Sequence, residues 1–243
     1  MGVRVFYWLM RYVFIGPWFR LFFRPWVEGI ENIPKHGPVI LCPNHLSFID
    51  SIVIPLLVPK RRVVYLGKSD YFDKWYIKWF FEGAGVIPVR REGGNAGEAS
   101  LIAGCEQLDR GMIVAVYPEG TRSPDGRLYK GKTGAARMAL RAGCPVIPVA
   151  VFGTDEALPT GKYLPRRVRI GVRFGKPLDF TRYEGQGDDR FVLRSVTDEI
   201  MYELMMLSGR EYVDDYASKY KGNIPKDTLE SPPAARDAGS IAS

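Results

Sequence analysis

Residues 38–50 read Pro38-Val39-Ile40-Leu41-Cys42-Pro43-Asn44-His45-Leu46-Ser47-Phe48-Ile49-Asp50, and a second apolar stretch follows at 51–57. The apolar run 38–41 is short and bounded by prolines, which predicts a buried strand; 51–57 predicts a helix. Between them lies a polar turn. A histidine where a strand gives way to a helix is exposed at the carboxyl edge of an open α/β sheet, the edge at which such sheets place ligands. Asp50, five residues on, falls in the first helical turn, and a helix that bends back on its strand lets the two side chains meet. An imidazole can take a proton from an alcohol, and a carboxylate behind it fixes the tautomer and stabilises the imidazolium. His45 and Asp50 are therefore candidate catalytic residues. Ser47-x-x-Asp50 also reads as a capping box, which accounts for Ser47 and Asp50 but not for His45. As an N-cap, Ser47 would turn its hydroxyl to the helix amides, and Cys42 points inward from its strand. The expected nucleophile is thus a hydroxyl of the bound substrate.

Outward from this stretch, strand-like and helix-like segments alternate. Strands are expected at 62–66, 112–117, 146–152 and 168–174, and helices at 71–81, 96–108, 134–142 and 191–207. Such alternation predicts an α/β fold, a mostly parallel mixed sheet flanked by helices. Polar groups gather after two further apolar segments. Gly85-Val86-Ile87-Pro88-Val89-Arg90-Arg91 is a short edge ending in two arginines, whose planar guanidinium suits phosphate. Tyr117-Pro118-Glu119-Gly120-Thr121-Arg122-Ser123 follows the strand at 112–116. Its Glu119, Gly120, Thr121 and Arg122 are candidates for holding a polar headgroup, with Glu119 alternatively bracing the arginines. Pro, Gly and Ser also suit a plain turn there.

Gly126-Arg127-Leu128-Tyr129-Lys130-Gly131-Lys132-Thr133 matches the spacing of a nucleotide-binding P-loop. The loop should spring from the end of a buried strand, but turn residues precede it, and Leu128 and Tyr129 are bulky for a phosphate cradle. A P-loop protein using Lys132 and Thr133 is the remote alternative.

The chain has 243 residues and a net charge of +7. That excess asks for an anionic partner: lipid, phosphorylated small molecule or nucleic acid. No basic-aromatic RNA signature is present, so nucleic acid is not expected. Two histidines and three cysteines without CxxC spacing argue against a metal site or a disulfide framework. Residues 1–26 hold Arg4, Arg11, Arg20 and Arg24 among aromatics such as Trp8, Trp18 and Trp26, with no acid. No apolar run there reaches the roughly 18 residues of a span. The segment is expected to lie helical at a phospholipid surface, bent at Gly16-Pro17. Residues 27–221 would form the catalytic domain and 222–243 a disordered tail.

In order, these blocks resemble the glycerolipid acyltransferase family, known best for its 1-acylglycerol-3-phosphate (lysophosphatidic acid) acyltransferases. The resemblance runs from about Trp26 to Pro177. It rests on His45 and Asp50 with four residues between, Gly85 to Arg91, Pro118 to Ser123, and Val146-Ile147-Pro148-Val149. Pro88 departs from the aromatic or aliphatic residue that members commonly carry. The resemblance implies that His45 acts as base and that Arg91 joins Glu119, Gly120, Thr121 and Arg122 at a phosphate-bearing lipid acceptor. It also implies acyl-CoA or acyl carrier protein as donor, no cofactor, no metal, and a peripheral or monotopic enzyme on the cytoplasmic face of a membrane. Glycerol 3-phosphate or another lysophospholipid is the alternative acceptor. The residues alone reach a base and a phosphate site; the donor comes only from the resemblance.

Overall fold

A computed structural model describes residues 7–68, 86–89 and 96–220. The expected helix at 71–81, Arg90 and Arg91, and the expected tail at 222–243 lie outside the described residues.

The strand expected at the centre forms as β2 (Val39–Pro43), buried along its whole length. Its side chains alternate between two cores, as a strand's period of two requires. Val39 and Leu41 pack in one, Ile40 and Cys42 in the other. Each fully buried aliphatic side chain contributes roughly 1.5–3 kcal/mol, so a strand apolar on both faces is stable only with helices on both sides.

The remaining strands complete this arrangement. They are β1 (Trp26–Glu28), β3 (Val63–Lys68), β4 (Val86–Val89), β5 (Ile113–Ala115), β7 (Val146–Phe152) and β8 (Gly171–Phe174). Among the described residues they form one sheet in the order β1-β8-β7-β2-β5-β3-β4. β2 runs parallel to β5 and β7, with Ile40 opposite both Val114 and Val146. β8 is antiparallel to β7, and β1 is parallel to β8, so this pair reverses the sheet's direction at one edge. A separate short ladder pairs β6 (Leu128–Tyr129) with β9 (Tyr212–Val213).

Helices α1 (Ile15–Phe23) and α2 (Asp50–Leu57) cover the first core, where Phe19, Phe23, Val53 and Ile54 are buried. Helices α3 (Ala96–Asp109), α4 (Gly134–Ala142) and α6 (Arg190–Ser208) cover the second through Leu101, Ala136, Leu193 and Ile200. A short α5 (Thr154–Ala157) follows β7. The start of α6 has a local cause: the Asp189 carboxylate accepts from the amides of Phe191 and Val192 at 2.7 and 3.2 Å. All three cysteines are free and buried.

The N-terminal helix differs in detail from its expectation. Among the described residues the segment is helical from Tyr7 on, and Gly16-Pro17 produces no break. Instead a π-helical turn, Met10–Phe14, precedes α1. Proline lacks the amide that would bond a carbonyl four residues back, and a π turn is one way a helix absorbs that mismatch. The helix ends at Phe23. Trp26 belongs to β1, with its ring stacked on Phe152 at 5.3 Å.

Candidate functional site

The site forms where β2 and β5 end side by side. His45 stands two residues beyond β2, and Tyr117 two beyond β5. Asn44 keeps the sheet ordered while the chain turns away. Its side chain accepts from the Val151 amide at 2.7 Å and donates to the Val151 carbonyl at 3.3 Å, replacing a strand neighbour for β7. The turn that carries His45 is thereby fixed to the sheet by a buried side chain.

His45 Nδ1 lies 2.9 Å from Asp50 Oδ2. Ionised Asp50 can only accept, so Nδ1 carries the proton and the Nε2 lone pair is left for chemistry. The same Oδ2 accepts from the amides of Leu46 at 2.7 Å and Ser47 at 2.8 Å. Asp50 is fully buried, and Oδ1 has no partner among the described residues. A buried carboxylate of this kind is a fixed negative charge, well placed to stabilise an imidazolium. Half of the capping box also forms: Asp50 reaches back to the Ser47 amide. The Ser47 hydroxyl accepts from the Ile49 amide at the helix start, at 3.5 Å, rather than from that of Asp50, and it donates to the Leu158 carbonyl at 2.8 Å.

His45 stacks on the Tyr117 ring, with centroids 3.7 Å apart and planes inclined by 15°. The Tyr117 hydroxyl is 2.8 Å from Ser51 Oγ, and burial holds its pKa well above the ordinary range. The imidazole is thus fixed in its plane by Tyr117 and in its rotation by Asp50. Sequence reasoning gives Tyr117 no role, although its place beside Pro118 at the end of a strand next to β2 is a usable signal. Cys42 is wholly buried on β2, and burial raises its thiol pKa, which leaves no thiolate facing His45.

Glu119 is 1% exposed. One oxygen accepts from the His45 amide at 3.1 Å and the other from the Tyr129 amide at 2.9 Å. Burial pushes its carboxyl up to about 7, against those two donors and Arg210, which pull it down. Its oxygens are thus engaged with backbone that shapes the site. The Ser123 amide donates to the His45 carbonyl at 2.7 Å, so both polar groups of the His45 backbone are tied to the turn at 117–123. Gly120, Thr121 and Arg122 cross that turn. Gly120 has φ +71°, and a side chain there would also press on the Lys132 stem, about 3.0 Å away. Arg122 and Lys132 are exposed, with no ion-pair partner among the described residues. Arg91 lies outside the described residues.

The P-loop reading fails on hydrogen bonds. The amides of Gly126, Arg127, Leu128, Tyr129, Lys130 and Lys132 donate to Ser123, Asp125, Glu211, Glu119, Val213 and Pro118 respectively. Leu128 and Tyr129 are fully buried in the β6–β9 ladder. Six amides of the stretch are thus committed to protein acceptors and do not cradle a phosphate.

Residues 24–152 match the family model described as Acyltransferase. The chain is 35% identical over 141 residues to the chloroplastic 1-acyl-sn-glycerol-3-phosphate acyltransferase LPAT1 of Arabidopsis thaliana, covering 58% of this chain and 39% of that protein. It is 29% identical over 152 residues to the 1-acyl-sn-glycerol-3-phosphate acyltransferase of Bacillus subtilis, covering 63% and 72%. The chain thus spans about 40% of the length of the Arabidopsis thaliana and Brassica napus relatives. The crystal structure of the 1-acyl-sn-glycerophosphate (LPA) acyltransferase PlsC from Thermotoga maritima superposes with a TM-score of 0.60 at 25% identity, covering 83% of this chain and 86% of that one.

Proposed function

The chain belongs to the acyltransferase family, and on that premise we propose that it moves a fatty acyl group from acyl-CoA or acyl carrier protein to the free hydroxyl of a monoacylglycerol 3-phosphate, forming phosphatidic acid for phospholipid synthesis. The observation that carries the reading is the 2.9 Å pair of His45 Nδ1 with the buried Asp50 carboxylate at the sheet's carboxyl edge. The relatives' names supply the acceptor.

In the proposed reaction His45 Nε2 takes the proton of the acceptor hydroxyl as its oxygen bonds to the thioester carbonyl carbon. The tetrahedral intermediate then collapses, the C–S bond breaks, and the imidazolium returns the proton to the departing thiolate. Asp50 stabilises the imidazolium and keeps its own charge. No acyl-enzyme forms. Arg122 and Lys132, together with Arg91, supply positive charge for the acceptor's phosphate.

A membrane surface completes the reading. Tyr12, Val13, Phe14, Trp18 and Leu21 are 48–72% exposed on the N-terminal helix, while Phe19 and Phe23 on its other side are 2% exposed. The helix packs on the domain with one side and offers aromatic and aliphatic groups with the other, as interfacial helices do. No helix among the described residues is long and apolar enough to cross a membrane.

The test is a panel of acceptors (glycerol 3-phosphate, its two monoacyl isomers, and lysophospholipids with larger headgroups) with one acyl-CoA and purified protein. Thiol release is expected with a monoacylglycerol 3-phosphate. Release only with glycerol 3-phosphate or only with a larger headgroup would move the acceptor assignment to that compound. Arg91→Ala is expected to raise KM for the phosphorylated acceptor and spare KM for the donor.

A further inference from the structure

The loop between β7 and β8 presents the two most exposed apolar neighbours among the described residues. Tyr163 is 94% and Leu164 83% exposed, side by side at its tip. Lys162 precedes them and Arg166, Arg167 and Arg169 follow within five residues of Leu164, all exposed and none with an ion-pair partner among the described residues. Residues 158–170 contain no acid. An apolar pair this exposed gains little from its own domain, and burying it in a protein interface would take the cations that flank it in sequence out of water. At an anionic bilayer both parts are satisfied: the tyrosine and leucine enter the headgroup layer, and the cations meet lipid phosphates.

The loop's place in the fold strengthens the argument. β8 begins opposite the end of β7, Gly171 beside Phe152, so the loop lies at the carboxyl edge that carries His45. One end is tied to the catalytic turn, because the Ser47 hydroxyl donates to the Leu158 carbonyl at 2.8 Å. The other end is tied to the N-terminal helix, because the Ile170 amide donates to the Phe23 carbonyl at 3.4 Å. Phe48, on the catalytic turn itself, is 44% exposed. We propose that the loop at 158–170 is a second membrane anchor, inserting Tyr163 and Leu164 into an anionic phospholipid surface and holding the His45 turn against it. This rests on the reading of the protein as a surface-bound acyltransferase and adds a contact that the N-terminal helix does not supply.

Two measurements on the full chain test it. Cys42, Cys105 and Cys144 are buried, so Leu164→Cys can be labelled selectively with the fluorophore NBD. Its emission is expected to shift to the blue on vesicles of phosphatidylcholine with 30% phosphatidylglycerol. The double variant Tyr163→Ser/Leu164→Ser, on the exposed tip and with unchanged thermal unfolding, is expected to partition on the order of tenfold more weakly onto the same vesicles. Arg166→Gln/Arg167→Gln is expected to lose much of the salt sensitivity of that partition. With an acceptor embedded in vesicles the tip variant loses turnover, whereas with a short-chain acceptor dissolved as monomers it matches the parent. The proposal is overturned if emission at position 164 keeps its value in water and the tip variant floats like the parent. It is also overturned if emission shifts on concentrating the protein without vesicles, since a second copy then covers the tip. Loss of acyl transfer by the parent with both acceptors would sink the functional reading while leaving the vesicle result to stand or fall by itself.

Discussion

Asp50 collects a histidine and two amides on a single oxygen, and this concentration decides what its substitution does. An asparagine in its place could turn its carbonyl toward the Leu46 and Ser47 amides and keep the turn folded, but it offers no charge to an imidazolium. Asp50→Asn is therefore expected to lower kcat by roughly 10²–10⁴-fold with KM little changed, measured by thiol release. Glu119 makes a different prediction, about stability. Its carboxyl at about 7 lies above its ordinary 4.5, so the native state binds that proton more tightly than the unfolded chain. The Glu119 contribution is present in full below about pH 4.5 and is lost as pH rises through about 7. Glu119→Gln does not titrate. Relative to it, the parent should lose on the order of 3 kcal/mol between pH 4.5 and 8, read from urea unfolding at several pH values. Parallel curves for the two proteins would show that the carboxyl is not raised. At this scale the sequence told which side chains meet, His45 and Asp50, and was silent about how the others are engaged. His45 and Asp50 were legible from a strand, a turn and a helix in succession. That both Glu119 oxygens are held by the His45 and Tyr129 amides was not legible, because residues 74 positions apart meet there only through the pairing of β2 with β5.

At the scale of elements, Asn44 and Gly171 show how side chains hold the sheet edge in place. Asn44→Ala leaves the Val151 amide and carbonyl without partners in a buried position, at a cost of about 1–3 kcal/mol. Because the next residue is His45, kcat is expected to fall as well, and thermal unfolding measured beside turnover separates the two effects. Gly171 lets the Trp26 ring lie flat on β8; a methyl group there would collide with it. Gly171→Ala is expected to cost about 1–3 kcal/mol by overpacking, with little change in kcat of the folded fraction. The helices at 134–142 and 190–208 were readable from their amphipathic period, and the strand at 146–152 from its unbroken apolar run, buried at its first six positions. The strands β1, β6 and β9 were not anticipated. They are two or three residues long, too short to show a period, and their pairing is set entirely by what the rest of the fold brings beside them.

For the whole molecule, the sheet's carboxyl edge gathers the His45 turn, the Glu119 turn and the β7–β8 loop, and the N-terminal helix closes against that loop. The exposed aromatics Tyr12, Phe14 and Trp18 fit the expectation for the helix; its buried side, which takes in Arg11 at 4% exposed, does not. Phe19 and Phe23 belong to the main core, so deleting the helix would damage the fold, and substitution on its exposed side is the cleaner probe. Phe14→Ser/Leu21→Ser is expected to weaken flotation on anionic vesicles without lowering thermal stability; unchanged flotation would leave the helix a packing element only. The central claim is that His45, oriented by Asp50, removes the proton of a lipid hydroxyl. It is tested most directly by thiol release from acyl-CoA with monoacylglycerol 3-phosphate, comparing the parent with His45→Ala at matched circular dichroism and thermal unfolding. A loss of roughly 10²–10⁴-fold in kcat with folding retained is the predicted result; a folded His45→Ala protein that transfers acyl groups at near the parental rate would contradict it.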